Sequence, residues 1–347
     1  MNYLGNRLYL DDIKTALKQT IALEKLKGKR ILVLGATGLI GTFLVDCLRY
    51  ANVVMSMNMT IVAVGRSRER LVERFCNEEE SCCLESGWLQ YIECDVTELD
   101  VDKLATTGDT SVDIIIHAAS GAYPKAFRET PVEVMLANFV GTHRVLELAR
   151  KNPDCRVLYV SSGEVQEEVD HLSVRACYPM SKRAAETLCL SYLQEYGTDV
   201  VIARPCHTFG ANVTKADNRA TAQFIECAVQ NRDIVLKSAG SQVRSFAYVA
   251  DCVSGLLTVL TCGVAGAVYG VAAEEACSIR EFAEMCAKAA GTRVVFAEGT
   301  AVEKAEATPI MQQIVSNEAL RGLGWEPVYT VKGGIRNSVR ILACNEV

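Results

Sequence analysis

Residues 31–44 read ILVLGATGLIGTFL, an uncharged apolar run interrupted by Gly35, Gly38 and Gly41. The first four residues, Ile31 to Leu34, have the aliphatic composition of a strand buried on both faces. From Leu39 the apolar residues continue as the opening of a helix. Between the two, glycine permits a tight turn and lets the backbone come close to whatever lies opposite it. A strand that turns through glycine into a helix offers free N–H groups at the positive end of that helix, which suits a pyrophosphate. Gly35, Thr37, Gly38, Leu39, Ile40 and Gly41 are therefore expected to form the phosphate-binding turn of a dinucleotide site.

Working outward, apolar strand-like runs recur as RILVLGA, MTIVAVG, WLQYIEC, VDIIIHAA, RVLYVSS and DVVIARP. Most are separated by segments long enough for a crossover helix, which is the pattern of an α/β chain with a Rossmann-type, doubly wound parallel sheet. Residues 1 to about 28 read as an amphipathic helix capped near Asp11. After Pro205 the alternation fails, and a smaller α/β C-terminal substrate domain is expected there. The expected division is 1–205, with about 244–275 returning, for the cofactor domain, and 206–243 with 276–347 for the smaller one. A capping box, Ser278 to Glu281, starts a later helix.

Composition narrows the function. The 347 residues exceed the size at which one core keeps growing, and 50% are hydrophobic. A formal net charge of -6, with no clustered Lys and Arg, gives no footprint for nucleic acid. The opening MNYLGNRLYLDDIKTALKQ lacks the signature of a secretory signal, so a cytoplasmic location is expected. Fifteen cysteines, scattered singly and often in apolar runs, as at Cys189, Cys227 and Cys286, read as reduced core residues. Cys82 and Cys83 lack a second pair at metal-ligand spacing, so no metal is expected. The charge-free stretch from Cys252 to Ala273 is broken by Gly263 and Gly266, which favours a short helix and a short strand over a membrane span.

The remaining site residues fall at strand ends. After the second run stand Gly65 and Arg66, where an acidic residue would favour NAD; an arginine there leans toward NADP. Asp95 and Val96 follow the third run, and Ala118, Ala119 and Ser120 the fourth, where the adenine and nicotinamide halves would lie. Pro205, closing the sixth, is included in the cofactor set. Ser162 ends the fifth run, and Tyr178 and Lys182 stand four residues apart, one helical turn on one face. A phenol ordinarily titrates near pH 10, and a neighbouring ammonium favours its ionised form. Ser162 to hold a substrate oxygen, Tyr178 to take its proton and Lys182 to lower the tyrosine form a redox set.

With GATGLIG, HAAS, NFVGT, SSGEV, YPMSK, RSFAYVAD and LGWEP in place, most of the chain resembles the extended short-chain dehydrogenase/reductase family. The resemblance is to its NAD(P)-dependent nucleotide-sugar epimerase, dehydratase and decarboxylase branch. It implies oxidation of a sugar hydroxyl to a ketone, with Glu164 as candidate base on the neighbouring carbon and Arg244 as a diphosphate ligand. Tyr123 and His207 join the substrate set, His207 either donating to phosphate when charged or packing as a neutral ring. Relatives also pair two helices into a homodimer, here those carrying Val145, Leu146, Leu148, Ala185, Leu188 and Tyr192.

Three departures alter the expectation. Gly163 stands where 4,6-dehydratases of the family have an aspartic acid, which disfavours simple dehydration. Gln166 replaces the usual Tyr-Gly, and Tyr178 follows Ser162 by only 16 positions, so the sugar pocket is altered. An NADP-dependent reductase of a non-nucleotide ketone or alcohol, and a silent cofactor-binding regulator, stay open as alternatives to the nucleotide-sugar epimerase reading.

Overall fold

The computed structural model describes residues 3–75, 87–214, 217–298 and 310–344. Cys82 and Cys83 lie outside the described residues. The glycine-broken run is the centre of the architecture. Strands β1 (Arg30–Leu34), β2 (Thr60–Gly65), β3 (Leu89–Glu93), β4 (Ile114–His117), β5 (Arg156–Val160) and β6 (Asp199–Pro205) join one parallel sheet. Three short strands follow, β7 (His207–Phe209), β8 (Ile234–Leu236) and β9 (Val243–Tyr248), and then β10 (Val268–Val271).

The large sheet has the order β10-β6-β5-β4-β1-β2-β3, so the winding reverses between β1 and β4. That reversal opens a crevice at the carboxyl ends of the strands, the place where such sheets bind ligands. β1 is buried along its whole length, as its continuous apolar composition requires. Helices on both faces divide the core into two layers, one including Ile31 and Val33 and the other Leu32 and Leu34.

The C-terminal part builds around β9, which pairs with β7, with β11 (Ala276–Ser278) and with β13 (Gln312–Gln313). β8 pairs with β12 (Val294–Phe296). The capping box at Ser278 and Glu281 is formed as expected and starts helix Ile279–Ala290. The Cys252–Ala273 stretch divides into the end of helix Val249–Cys262 and strand β10. Among the described residues no helix is long and apolar enough to cross a membrane, and twelve cysteines are free thiols. Cys189 and Cys286 are buried and Cys227 half-buried.

The N-terminal helix differs from expectation. It spans Arg7–Gln19 and is capped by Asn6, whose side chain accepts from the N–H groups of Leu8 and Tyr9 at 3.0 and 3.3 Å. Asp11 already lies inside the helix and pairs with Lys14, i to i+3, at the surface. The helix is also more than a lead-in, because two buried polar groups on it join separate parts of the chain. Tyr9 donates to Asp46 of helix Leu39–Met55 at 2.7 Å and accepts from Asn212 at 2.7 Å. Asp12 accepts from Tyr248, Tyr329 and Asn337 at 2.5, 2.7 and 2.9 Å.

Two of the late sequence motifs meet structurally. The Asp251 carboxylate of VAD accepts from the backbone of Val328 and Tyr329 at 3.0 and 2.8 Å, and the LGWEP tryptophan, Trp325, donates to Ser254 at 2.9 Å. They pin the C-terminal segment onto helix Val249–Cys262.

Helices Pro131–Arg150 and Cys177–Tyr196 pack side by side, with Asn138 donating to Ser181 at 3.0 Å. The apolar residues expected at a dimer surface are mostly spent inside one chain: Val145, Leu146, Leu148, Ala185 and Tyr192 are all buried. They face the sheet, since their spacing follows the stripe that covers it. The outward apolar residues are others, Met135, Leu136 and Phe139 at 46%, 45% and 43% exposure, with Leu190 on the second helix.

Candidate active site

The turn after β1 has the shape its glycines imply. Gly35 adopts φ +80°, and a Cβ there would lie 2.7 Å from the Ala118 carbonyl oxygen, so the end of β1 closes directly on the segment after β4. A Cβ on Gly41 would overlap the Gly35 carbonyl. Gly38 caps helix Leu39–Met55 without a side-chain hydrogen bond, which leaves the first N–H groups of that helix for a ligand. Leu39 is buried and anchors the helix, while Thr37, Gly38 and Ile40 are partly exposed at the crevice. Ala118, Ala119 and Ser120 line the opposite side, half-buried, and the Ser120 hydroxyl oxygen is buried without a hydrogen-bond partner. A glycine cradle, an open helix end and an orphaned hydroxyl fit a dinucleotide.

Two of the cofactor candidates are engaged with the chain itself. The Asp95 carboxylate accepts from the backbone and hydroxyl of Thr97 at 2.9 and 2.7 Å, and Val96 is buried against Gly141. Arg66 is exposed at the end of β2, and Pro205 is buried at the end of β6.

Ser162, Tyr178 and Glu164 come together. Ser162 caps the short turn Gly163–Gln166, its hydroxyl accepting from the Glu164 N–H at 3.1 Å. Tyr178, at the start of helix Cys177–Tyr196, is buried, near enough to Ser162 for that hydroxyl to lower its pKa, and stacked on Phe127 with ring centroids 4.8 Å apart. Tyr123 packs on the same small cluster.

Burial raises the Tyr178 phenol above its ordinary value, and Glu164 raises it further; Ser162, Arg219 and Arg175 act the other way. In this site burial outweighs the lowering expected from Lys182. Lys182 is one turn away, and its ammonium donates to the Val160 carbonyl at 2.7 Å, with its own pKa reduced by burial to about 7. Helical spacing puts the two residues on one face, and the lysine gives a hydrogen bond to the end of β5.

The substrate side gathers arginines that are partly ion-paired, Arg219 with Asp217 at 2.6 Å. Glu164 is paired with Arg175 at 2.7 Å, and Arg175 lies over the Phe127 ring, 4.6 Å from its centroid. His207 packs edge-to-face on Phe246 at 5.8 Å, and burial together with Arg244, Arg219 and Arg175 depresses its pKa to about 3. In this structure the ring packs in its neutral form. Arg244 is buried and donates to the backbone carbonyls of Val243 and Ile310 at 2.8 and 2.6 Å. Gly163 has a steric reason: a Cβ there would run into Val315.

A family model for the NAD dependent epimerase/dehydratase family matches residues 31–272, from β1 through the last strand of the large sheet. The chain belongs to this family. It is an NAD-dependent enzyme of the epimerase/dehydratase kind. UDP-glucuronic acid decarboxylase 1 of Danio rerio is 30% identical over 331 residues, covering 90% of this chain and 72% of the relative. The epimerase Mth375 of Methanothermobacter thermautotrophicus superposes with a TM-score of 0.79 at 19% identity, over 95% of this chain and 96% of that one. A Bacillus cereus UDP-glucuronic acid 4-epimerase, in complex with UDP-glucuronic acid and NAD, gives 0.73 at 20% identity, over 90% and 98%.

Within this family member, several site residues carried little signal in the sequence. Arg175 stands three residues before Tyr178, close enough to share its helix entry, but nothing in its neighbourhood marks it as the partner of Glu164. Arg219 lies beyond an irregular segment. Val315, which fills the space beside Gly163, is distant in sequence and sits in a stretch with no motif.

Proposed function

We propose that this enzyme removes CO2 from a UDP-linked uronic acid through a transient ketone. The observation that carries the reading is the grouping of Ser162, Tyr178 and an arginine-paired Glu164 with Gly163 closed off by Val315. The redox pair and an acid-base carboxylate are present, while the position of a dehydratase acid is filled by packing. Arg175, Arg219 and Arg244 all lie near enough to His207 to lower its pKa, and these guanidinium groups, two of them ion-paired within the chain, suit a substrate charged at both diphosphate and sugar. The names of the curated relatives support the same substrate class.

NAD fits the glycine cradle and, when bound, supplies a hydride acceptor and later a hydride donor. Ser162 holds the sugar hydroxyl, and Tyr178, ionised under the positive charge of Lys182 and of the oxidised cofactor when it is bound, takes its proton as the carbonyl forms. The new ketone lies β to the carboxylate, so the C–C bond breaks with its electrons passing into an enolate. Glu164, steadied by Arg175, is the group for proton transfer at that carbon. Tyr178 returns its proton when the ketone is reduced. Residues 206–243 and 276–347 serve as the substrate-binding part, and Arg66 meets the adenosine ribose, where a 2′-phosphate is tolerated. Met135, Leu136, Phe139 and Leu190 form the homodimer contact.

The test is incubation of the purified enzyme with NAD and UDP-glucuronic acid. Release of CO2 and a UDP-pentose supports the reading. A product of unchanged mass overturns it in favour of epimerisation, and turnover of free ketones alone overturns the nucleotide-sugar class.

A further inference from the structure

Lys182 is 2% exposed, and a buried ammonium needs compensation for the water it has lost. Its Nζ donates to the Val160 carbonyl and lies 4.9 Å from the centroid of the Tyr159 ring, within range of a cation–π contact. Tyr159 is fully buried on β5 and is backed by His117 of β4, with ring centroids 5.6 Å apart. His117 is neutral, since burial and Lys182 hold its pKa at about 3, and so adds no second positive charge.

Glu186 and Cys189, on the lysine's own helix, favour its charged form. Glu186 is already paired with Arg204 at 2.6 Å, and burial keeps the Cys189 thiol protonated. Tyr178 is protonated in the resting site. The carbonyl of Val160 and the face of Tyr159 are thus the groups in direct contact with the ammonium.

We propose that Tyr159 is a positioning residue of this site, its ring face keeping Lys182 charged and fixing where the ammonium sits. The proposal rests on the redox reading of Tyr178 and Lys182. A lysine that loses its proton no longer favours the phenolate, so kcat has an alkaline limb. Removing the ring weakens the charged form, and the limb then moves to lower pH.

The experiment compares kcat against pH, with NAD and UDP-glucuronic acid, for wild type, Tyr159→Phe, Tyr159→Met and Lys182→Met, alongside thermal melting. Tyr159→Met should move the limb down by on the order of one pH unit. Tyr159→Phe, which keeps the ring face, should restore the wild-type position. Should the methionine variant fold poorly, phenylalanine carrying one to three ring fluorines at position 159 keeps the packing and weakens the face stepwise, and the limb should move down in step. A loss of rate equal at every pH, or a Tyr159→Phe limb displaced as far as that of Tyr159→Met, overturns the proposal. Wild-type turnover by Lys182→Met instead overturns the redox reading beneath it.

Discussion

Gly163→Ala tests why this position lacks a side chain. Gly163 does not have a positive φ, so the backbone accepts alanine, and the loss of unfolded-chain entropy alone would stabilise the protein by about 0.4–1 kcal/mol. The contact works against this. A Cβ would stand under 3.0 Å from a Val315 methyl, closer than real Cβ atoms come. Val315 has little room to move: its N–H is held by the Ser245 hydroxyl at 3.1 Å, and its other methyl faces Gly270, where a Cβ would come within 2.8 Å of it.

Overpacking at such a site costs about 1–3 kcal/mol, so Gly163→Ala should be destabilising. Val315→Ala removes two buried methyl groups and should cost about 2 kcal/mol. In the double variant the new methyl occupies space the valine vacated, so the two losses should fall short of additivity by about 1–2 kcal/mol. Urea unfolding followed by tryptophan fluorescence measures all four proteins. A Gly163→Ala protein as stable as wild type, or strictly additive losses, would refute the packing argument. By the same reasoning Gly163→Asp gains no dehydratase activity unless Val315 is also reduced to alanine.

Tyr178→Phe retains the stacking on Phe127 but removes the hydroxyl, so turnover should fall at least about 100-fold while NAD binding, followed by titration, persists; near-normal turnover would sink the assignment. Arg66→Ala should weaken NADP more than NAD, and equal affinities for both cofactors before and after the change would remove Arg66 from cofactor selection. Light scattering at micromolar concentration should give twice the 37.8 kDa chain mass, and Phe139→Glu, which places a charge in the outward apolar patch, should shift the protein to monomer. Retention of the dimer in that variant would locate the contact elsewhere.

Much of this architecture was legible because it depends on local pattern. Glycine at 35 and 41 is demanded by a turn whose atoms are all neighbours in sequence or at the ends of adjacent strands, and the alternation of apolar runs specifies the parallel sheet. Tyr178 and Lys182 were recognisable from a four-residue spacing. The N-terminal cap was misplaced because Asn6 and Asp11 are both good capping residues, and only the backbone at Asn6 shows which one is outside the helix. The dimer surface was misjudged for a similar reason: apolar periodicity marks a buried stripe without saying whether a sheet or a second subunit covers it.

The sequence by itself determined the fold and the glycine turn after β1, and it marked out Ser162, Tyr178 and Lys182 as the candidate redox set, since each rests on local spacing and backbone geometry. Only the tertiary structure decided how those groups are charged and partnered. Arg175 reaching Glu164, His207 held neutral beside three arginines, Lys182 turned onto Val160 and Tyr159, and Val315 closing the space at Gly163 depend on burial and on contacts between distant segments. Desolvation and packing are properties of the assembled core, and no local stretch of sequence contains them.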